Sequence, residues 1–84
     1  MSDDRIELTE RLLLAVVEAA GWPMSADKRV GEAAAAALLG WTHDSLRNKR
    51  AEGKAPPAYR IGIGAAKVTY RITDLARWIE EQRE

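Results

Sequence analysis

The sequence contains no cysteine and a single histidine, His43. Without cysteine there is no disulfide framework, no thiolate metal site and no cysteine nucleophile, and one histidine cannot form an imidazole cluster. The chain has 84 residues, and a core of that size usually lacks a deep pocket. We therefore expect a binding module rather than an enzyme, with no catalytic residue, no metal ion and no cofactor.

Long hydrophobic segments are also absent. The uncharged apolar runs at residues 12–17 and 33–39 have six and seven residues, whereas a helix needs roughly 20 such residues to cross a bilayer. No basic start precedes a cleavable hydrophobic segment. A composition of 46% apolar and 31% charged residues is that of a soluble globule. The expectation is one small cytoplasmic domain with no membrane partner.

The net charge is zero, but the charges are unevenly distributed. Residues 1–27 hold six acidic and two basic side chains, a net charge of −4. Residues 41–72 hold seven basic and two acidic side chains, a net charge of +5. A basic middle between acidic ends suggests one face that contacts a polyanion and another kept away from it. A merely solvated basic surface has the same composition.

The first predicted element is a helix over residues 8–20, where apolar residues recur at helical spacing. Thr9 is its expected N-terminal cap and Gly21 its end. The apolar stripe is too wide for one narrow line, so burial on more than one side is expected. The helix either packs on the domain as an extra element or contacts another subunit, in which case a charge at Val16 or Val17 should disrupt a dimer.

Two short helices follow a connector at residues 25–29. The first is predicted over residues 31–39, with Gly40 in the left-handed conformation that ends many helices. The second is predicted to begin after a cap at Thr42 and to run to about Glu52. Two short helices joined in this way suggest a helix-turn-helix, although an ordinary helical hairpin has similar spacing.

After two prolines at residues 56–57, the pattern changes to a period of two. We predict a hairpin with strands at residues 59–63 and 67–72, a small tip at residues 64–66, an apolar inner face and a basic outer face. Thr73 is the expected cap of a final helix with apolar residues at i, i+3, i+4 and i+7. The predicted fold class is mainly α with a small β-hairpin.

The order of elements from residue 30 onward matches a known pattern at many positions together. Those positions are Glu32, Ala33, Ala34, Ala36, Leu39, Gly40, Ser45, Leu46, Arg47, Gly53, Pro56, Pro57, Tyr59, Arg60, Ile61, Gly62, Val68, Thr69, Tyr70, Arg71, Asp74, Leu75 and Trp78. In order and spacing they resemble the excisionase-type winged helix-turn-helix family of phages and mobile elements, relatives of the MerR-type DNA-binding heads. The resemblance covers about two thirds of the chain, with an N-terminal helix and connector at residues 1–29 and the DNA-binding domain at residues 30–84.

The resemblance implies binding of double-stranded DNA, with the second helix in the major groove and the hairpin as a wing on the backbone. An arginine can form a bidentate contact with guanine and an asparagine with adenine, and lysines and arginines outside the helix would contact phosphates. The plainer alternative is a solvated helix face. The candidate DNA-binding residues are Thr42, His43, Asp44, Ser45, Arg47, Asn48, Arg50, Lys54, Arg60, Lys67 and Arg71.

Proteins of this type act either as excisionase-like directionality factors, which bend DNA for an integrase in recombination, or as transcription regulators. The resemblance therefore implies a phage or prophage DNA-binding protein that binds as a homodimer or as cooperative neighbours. One alternative is a DNA-packaging recognition domain like that of small terminase subunits. Another is a protein-interaction module that has lost DNA binding and docks through the first helix.

The sequence departs from the family at the wing tip, at Lys49 and before residue 30. A small tip at residues 64–66 favours a shallow backbone contact over wing insertion. Lys49 replaces an apolar packing residue, so its stem is expected along the edge of the core. The acidic first helix is expected away from DNA. The aromatic residues Trp41, Trp78, Tyr59 and Tyr70 are expected to pack rather than to stack on bases.

Overall fold

A computed structural model describes residues 3–61 and 67–82. The described chain is mainly helical and has one small antiparallel sheet. The predicted tip at residues 64–66, with Ile63, lies outside the described residues. The elements in chain order are α1 (Asp3–Ala20), β1 (Arg29–Gly31), α2 (Glu32–Leu39), α3 (His43–Ala51), β2 (Tyr59–Ile61), β3 (Lys67–Arg71) and α4 (Ile72–Glu81).

Helix α1 begins five residues earlier than predicted and ends at Gly21 as expected. Acidic Asp4 lies in its first turn, where the helix dipole favours negative charge. Thr9 is therefore inside the helix and not its cap, and its hydroxyl donates a hydrogen bond to Glu80 on α4 at 2.8 Å. The prediction of a Thr9 cap was wrong because the apolar periodicity marks only the part of the helix that carries apolar residues. The acidic turns at the start of α1 precede that part.

The two short helices are joined as predicted. Gly40 ends α2 with a φ of 77°, and the next amide, of Trp41, donates to the carbonyl of Ala36 at 2.8 Å. A residue with a Cβ is strained at that φ, which explains the glycine. Thr42 caps α3, because its hydroxyl accepts a hydrogen bond from the amide of Ser45 at 3.1 Å. These caps set a three-residue turn between α2 and α3.

The sheet contains a strand that the sequence pattern did not predict. Strand β1 pairs with β3, which also pairs with β2, so the strand order is β1-β3-β2. The expected connector therefore ends in a strand, and Gly31, predicted in a helix, is the extended residue before α2. Val30, the middle residue of this strand, is buried in the core. Three residues are too few to show a period of two, so the sequence could not indicate β1.

The register of the hairpin corrects the prediction about its two faces. Tyr59 lies opposite Thr69, and Arg60 lies opposite Val68. Because residues directly opposite share a face of the sheet, the apolar residues of β2 and β3 do not line one common side. Tyr70, on the Val68 side, is fully buried, whereas Arg60 is exposed. A one-residue difference in register exchanges the two faces, and alternation within each strand does not specify it.

Helix α4 begins two residues earlier than predicted. Ile72, assigned to the strand by alternation, is the first helical residue, and its amide donates to the carbonyl of Lys28 at 2.9 Å. Thr73 is consequently in the first turn and not at the cap. Its hydroxyl donates a hydrogen bond to Glu10 on α1 at 2.7 Å. The hydroxyl therefore joins α4 to α1 and does not cap α4.

The core lies between the four helices and the sheet, and α1 packs mainly against α4. Val17 is only 2% exposed, so it belongs to this core and not to the outer surface of α1. Trp41 and Trp78 pack edge to face with their ring centroids 5.3 Å apart. Both tryptophans are half-buried and pack against each other, as expected. The buried apolar residues are Leu13, Val17, Val30, Ala35, Ala36, Leu46, Tyr70, Ile72, Leu75 and Ala76.

Candidate nucleic-acid interface

Helix α3 has one buried side and one fully exposed side. Leu46 is buried in the core, and the residues on the opposite side, Asp44, Arg47 and Asn48, are exposed. Arg47 donates a hydrogen bond to Asp44 one turn earlier at 2.9 Å. Both side chains of this pair are more than half exposed, so opening it costs little, at most about 1 kcal/mol. Arg47 and Asn48 are therefore the outward-facing donors of the helix.

The flank of α3 beside the preceding turn is held by an aromatic contact. The ammonium of Lys49 lies 5.0 Å from the centroid of the Trp41 ring, and Trp41 in turn packs on Trp78 of α4. A cation over an indole face is attracted by the ring quadrupole. Lys49 thus contributes to holding α3 in place.

The other flank of α3 is held by Glu32, the first residue of α2. Two nitrogens of the Arg50 guanidinium, Nε and an Nη, lie 2.9 Å from one carboxylate oxygen of Glu32. His43 Nε2 lies 3.1 Å from the other oxygen, and the Tyr70 hydroxyl donates to Glu32 at 3.4 Å. We name Glu32, His43, Arg50 and Tyr70 the Glu32 cluster. It connects α2, both ends of α3 and strand β3.

The electrostatics of the Glu32 cluster favour a charged carboxylate. Burial opposes ionisation of Glu32, but hydrogen bonds from Arg50 and His43 outweigh it, and the pKa of Glu32 is lowered from its ordinary value. Burial and the nearby Glu32 charge raise the pKa of Tyr70. Tyr70 therefore stays a neutral donor, and Glu32 stays an anion that accepts hydrogen bonds from the cluster.

Arg71 also forms contacts within the protein. It lies directly opposite Arg29 across β1 and β3, an arrangement of like charges that is unfavourable alone. Asp27 lies between them, 2.8 Å from the Arg29 guanidinium and 3.6 Å from that of Arg71. The Arg71 guanidinium also lies over the Tyr59 ring at 4.9 Å. The Arg71 side chain is thus held by contacts within the protein, on the outer face of the sheet.

An open groove of about 930 Å³ lies beside the start of α3. His43 and the first residues of α2 line one wall, and Lys67 and Thr69 of β3 line another. Trp22 and Met24 from the connector complete it. The groove separates the first turn of α3 from the hairpin, so it brings two of the predicted contacts, His43 and Lys67, to one concave surface.

The predicted contacts therefore divide into two groups. Arg50, His43 and Arg71 are engaged with carboxylates of the protein itself, and the Thr42 hydroxyl caps α3. Ser45 is half-buried behind that cap. The other group consists of Asp44, Arg47, Asn48, Lys54, Arg60 and Lys67, all of them exposed. Within it, Arg47 pairs with Asp44 and Lys54 with Glu52, both at the surface.

Sequence reasoning missed Glu32 and Asp27 as organising residues. The partners of Glu32 lie 11 to 38 residues along the chain, so local spacing does not connect them. Asp27 joins its near neighbours Ser25 and Arg29 to the distant Arg71. One signal was present: Glu32 is the only charged residue in an otherwise apolar helix, α2. An acidic residue at that position beside a basic helix suggests a specific cation partner. No comparable signal identifies Asp27.

Within residues 3–61 and 67–82, no group of three or more acidic or histidine residues is arranged to hold a metal ion. No helix in the same ranges has the length and apolarity to cross a membrane. No protein-family model matches the chain, and no curated protein or solved structure shows significant similarity to it.

Proposed function

We propose that this protein is a winged helix-turn-helix protein that binds double-stranded DNA, with α3 in the major groove and the β2–β3 hairpin along the backbone. The observation that carries the proposal is the outward face of α3, where Arg47 and Asn48 project from a helix fixed on both flanks. A rigid helix with an arginine and an asparagine on its free face suits the reading of guanine and adenine edges.

The exposed cations around α3 support the same proposal. Lys54 follows α3, Arg60 lies on β2 and Lys67 begins β3, and all three are exposed. The only ion pair recorded for any of them in the described chain is a long one, 4.0 Å, between Lys54 and Glu52. Such lysines and arginines can neutralise phosphates without reading sequence, which positions a reading helix in its groove.

The Glu32 cluster gives two candidate residues a different role. Arg50 and His43 would fix the orientation of α3 on the fold instead of contacting bases. A reading helix must be held close to its productive geometry, and residues locked by hydrogen bonds achieve that. The proposed role in the cell is recognition of a short recombination or operator site, as an excisionase-like factor or a transcription regulator.

The proposal is tested by selecting bound duplexes from a random DNA pool and titrating the selected duplex with variants. Arg47→Ala combined with Asn48→Ala should lower affinity for the selected duplex by about 30- to 20,000-fold, since each of the two base contacts contributes roughly 1–3 kcal/mol to discrimination. Arg77→Ala, an exposed arginine on α4, is the matched control. It should leave affinity unchanged.

The selection experiment also distinguishes the second candidate function, a protein-interaction module. That candidate is favoured by the exposed apolar residues Leu8, Leu12 and Val16 on α1. An interaction module predicts no enriched motif and no effect of the Arg47 and Asn48 substitutions. Either result would contradict DNA recognition by α3.

A further inference from the structure

Helix α1 has a second apolar face that no described residue covers. Leu8, Leu12 and Val16 are 57%, 66% and 47% exposed, and they recur every four residues along one side of the helix. They are three of the four large apolar side chains exposed in the described chain. Ala15 and Ala19 lie on the same side of the helix and are exposed as well. We name these five residues the α1 stripe.

The edge of the α1 stripe carries charges at a particular spacing. Arg11 and Glu18 are both exposed and, at seven residues apart, lie on the same edge of the helix. About 10 Å separates them along the helix axis, too far for a direct pair within one copy. In the described chain neither has an ion-pair partner. The stripe therefore carries one positive and one negative charge that are both available to another molecule.

We infer that the α1 stripe binds a second copy of this chain, with the two α1 helices antiparallel. In an antiparallel pair about a two-fold axis, the same edges of the two helices face each other. With the axis near Ala15, Arg11 of each copy then lies beside Glu18 of the other, which gives two symmetric ion pairs. The helix dipoles are also opposed, which a parallel pair does not allow.

The apolar residues fit the same alignment. Leu12 of each copy lies within one helical turn of Val16 of the other, and Leu8 lies within one turn of Ala19. The small Ala15 residues meet near the axis, where they allow close approach of the helices. Opposed charges and matched apolar residues thus specify one alignment of a second copy. Because α1 packs on α4 and α3 packs on α2, the dimer leaves the outward face of α3 free.

The inference concerns the free protein and does not depend on DNA binding. It is tested by sedimentation of the full chain without nucleic acid, from about 1 μM to about 1 mM. The wild-type chain should form dimers in that range. Leu12→Glu should be monomeric throughout, whereas Ala51→Glu, which adds the same charge at an exposed alanine on α3, should dimerise like wild type. Far-ultraviolet circular dichroism checks that each variant is folded.

Exchanging the charges at Arg11 and Glu18 is the decisive part of the experiment. Arg11→Glu and Glu18→Arg should each weaken dimerisation about tenfold, because each replaces two symmetric attractions by repulsions. The double variant restores opposite charges and should recover affinity to within about threefold of wild type. A chain that is monomeric at about 1 mM, or a double variant weaker than both single variants, would overturn the inference.

Discussion

At the scale of single residues, two arginines on α3, Arg47 and Arg50, have different environments although they are three residues apart. Arg50 is held by Glu32 with its side chain only 23% exposed, whereas Arg47 is 57% exposed in a surface pair. Removing one partner of a partly buried charged pair is costly, while surface substitutions usually change stability by less than about 0.5 kcal/mol. Substitution of Arg50 should therefore lower the stability of the fold, whereas substitution of Arg47 should lower the affinity for DNA and leave stability nearly unchanged.

Glu32→Gln keeps the shape of the side chain and removes its charge. We expect it to lower the free energy of unfolding by about 1–3 kcal/mol, because the hydrogen bonds from Arg50 and His43 lose their charged acceptor. Denaturant unfolding measures this change. Arg47→Ala is the comparison and should unfold like wild type while binding DNA more weakly. Equal unfolding of Glu32→Gln and wild type would contradict the role of the Glu32 cluster.

Asp27 gives a prediction for acid stability. Hydrogen bonds from Ser25 and Arg29 lower its pKa from 3.8 to about 2. A carboxylate with a depressed pKa in the fold stabilises above the pKa of the unfolded chain, and that stabilisation is lost as pH falls from about 4 to about 2. Asp27→Asn should therefore differ from wild type near neutral pH and converge with it toward pH 2 in thermal unfolding. A difference that does not change over that range would contradict the assignment.

At the scale of elements, the sequence predicted the helix ends and the cap that neighbouring residues determine by themselves. Gly21 and Gly40 end their helices, and Thr42 caps α3, as the sequence indicated. Strand β1 depends on pairing with β3 about forty residues away, and a three-residue strand has no period to detect. The hairpin register is a property of the β2–β3 pair, which alternation within either strand does not specify. The outward positions of Arg47 and Asn48 followed from helical spacing. The capture of Arg50 by Glu32 did not, because no local pattern joins residues of different helices.

The cap of α3 supplies a prediction at this scale. Thr42→Ala removes the acceptor for the Ser45 amide and should lower the free energy of unfolding by about 1 kcal/mol, a typical cost of losing an N-terminal cap. Thr42→Ser keeps a hydroxyl and should lose much less. Denaturant unfolding of both variants checks this expectation. A serine variant as unstable as the alanine variant would show that the threonine methyl group, and not the cap, matters there.

At the scale of the whole molecule, charge separates the proposed DNA side from the α1 side. Helix α1 is acidic and packs on α4, whereas the exposed cations Lys54, Arg60 and Lys67 lie after α3 and on the hairpin. Opposed potentials of this kind orient a protein toward a polyanion. The same division leaves the α1 stripe free to join two copies.

The exposed cations predict how binding depends on salt. Each phosphate contact adds about 0.9 to the slope of log affinity against log salt. Lys67→Ala should therefore weaken selected and scrambled duplexes equally and reduce the slope by about 1. Titrations at several salt concentrations measure it. Arg77→Ala should leave the slope unchanged, and loss of affinity for the selected duplex alone would mean that Lys67 reads bases instead.

The most direct test of DNA recognition is titration of the wild-type chain with the duplex selected from a random pool and with a scrambled duplex, at low and at physiological salt. Our account predicts tighter binding of the selected duplex, with both affinities falling steeply as salt rises. No retained duplex even at low salt would contradict it.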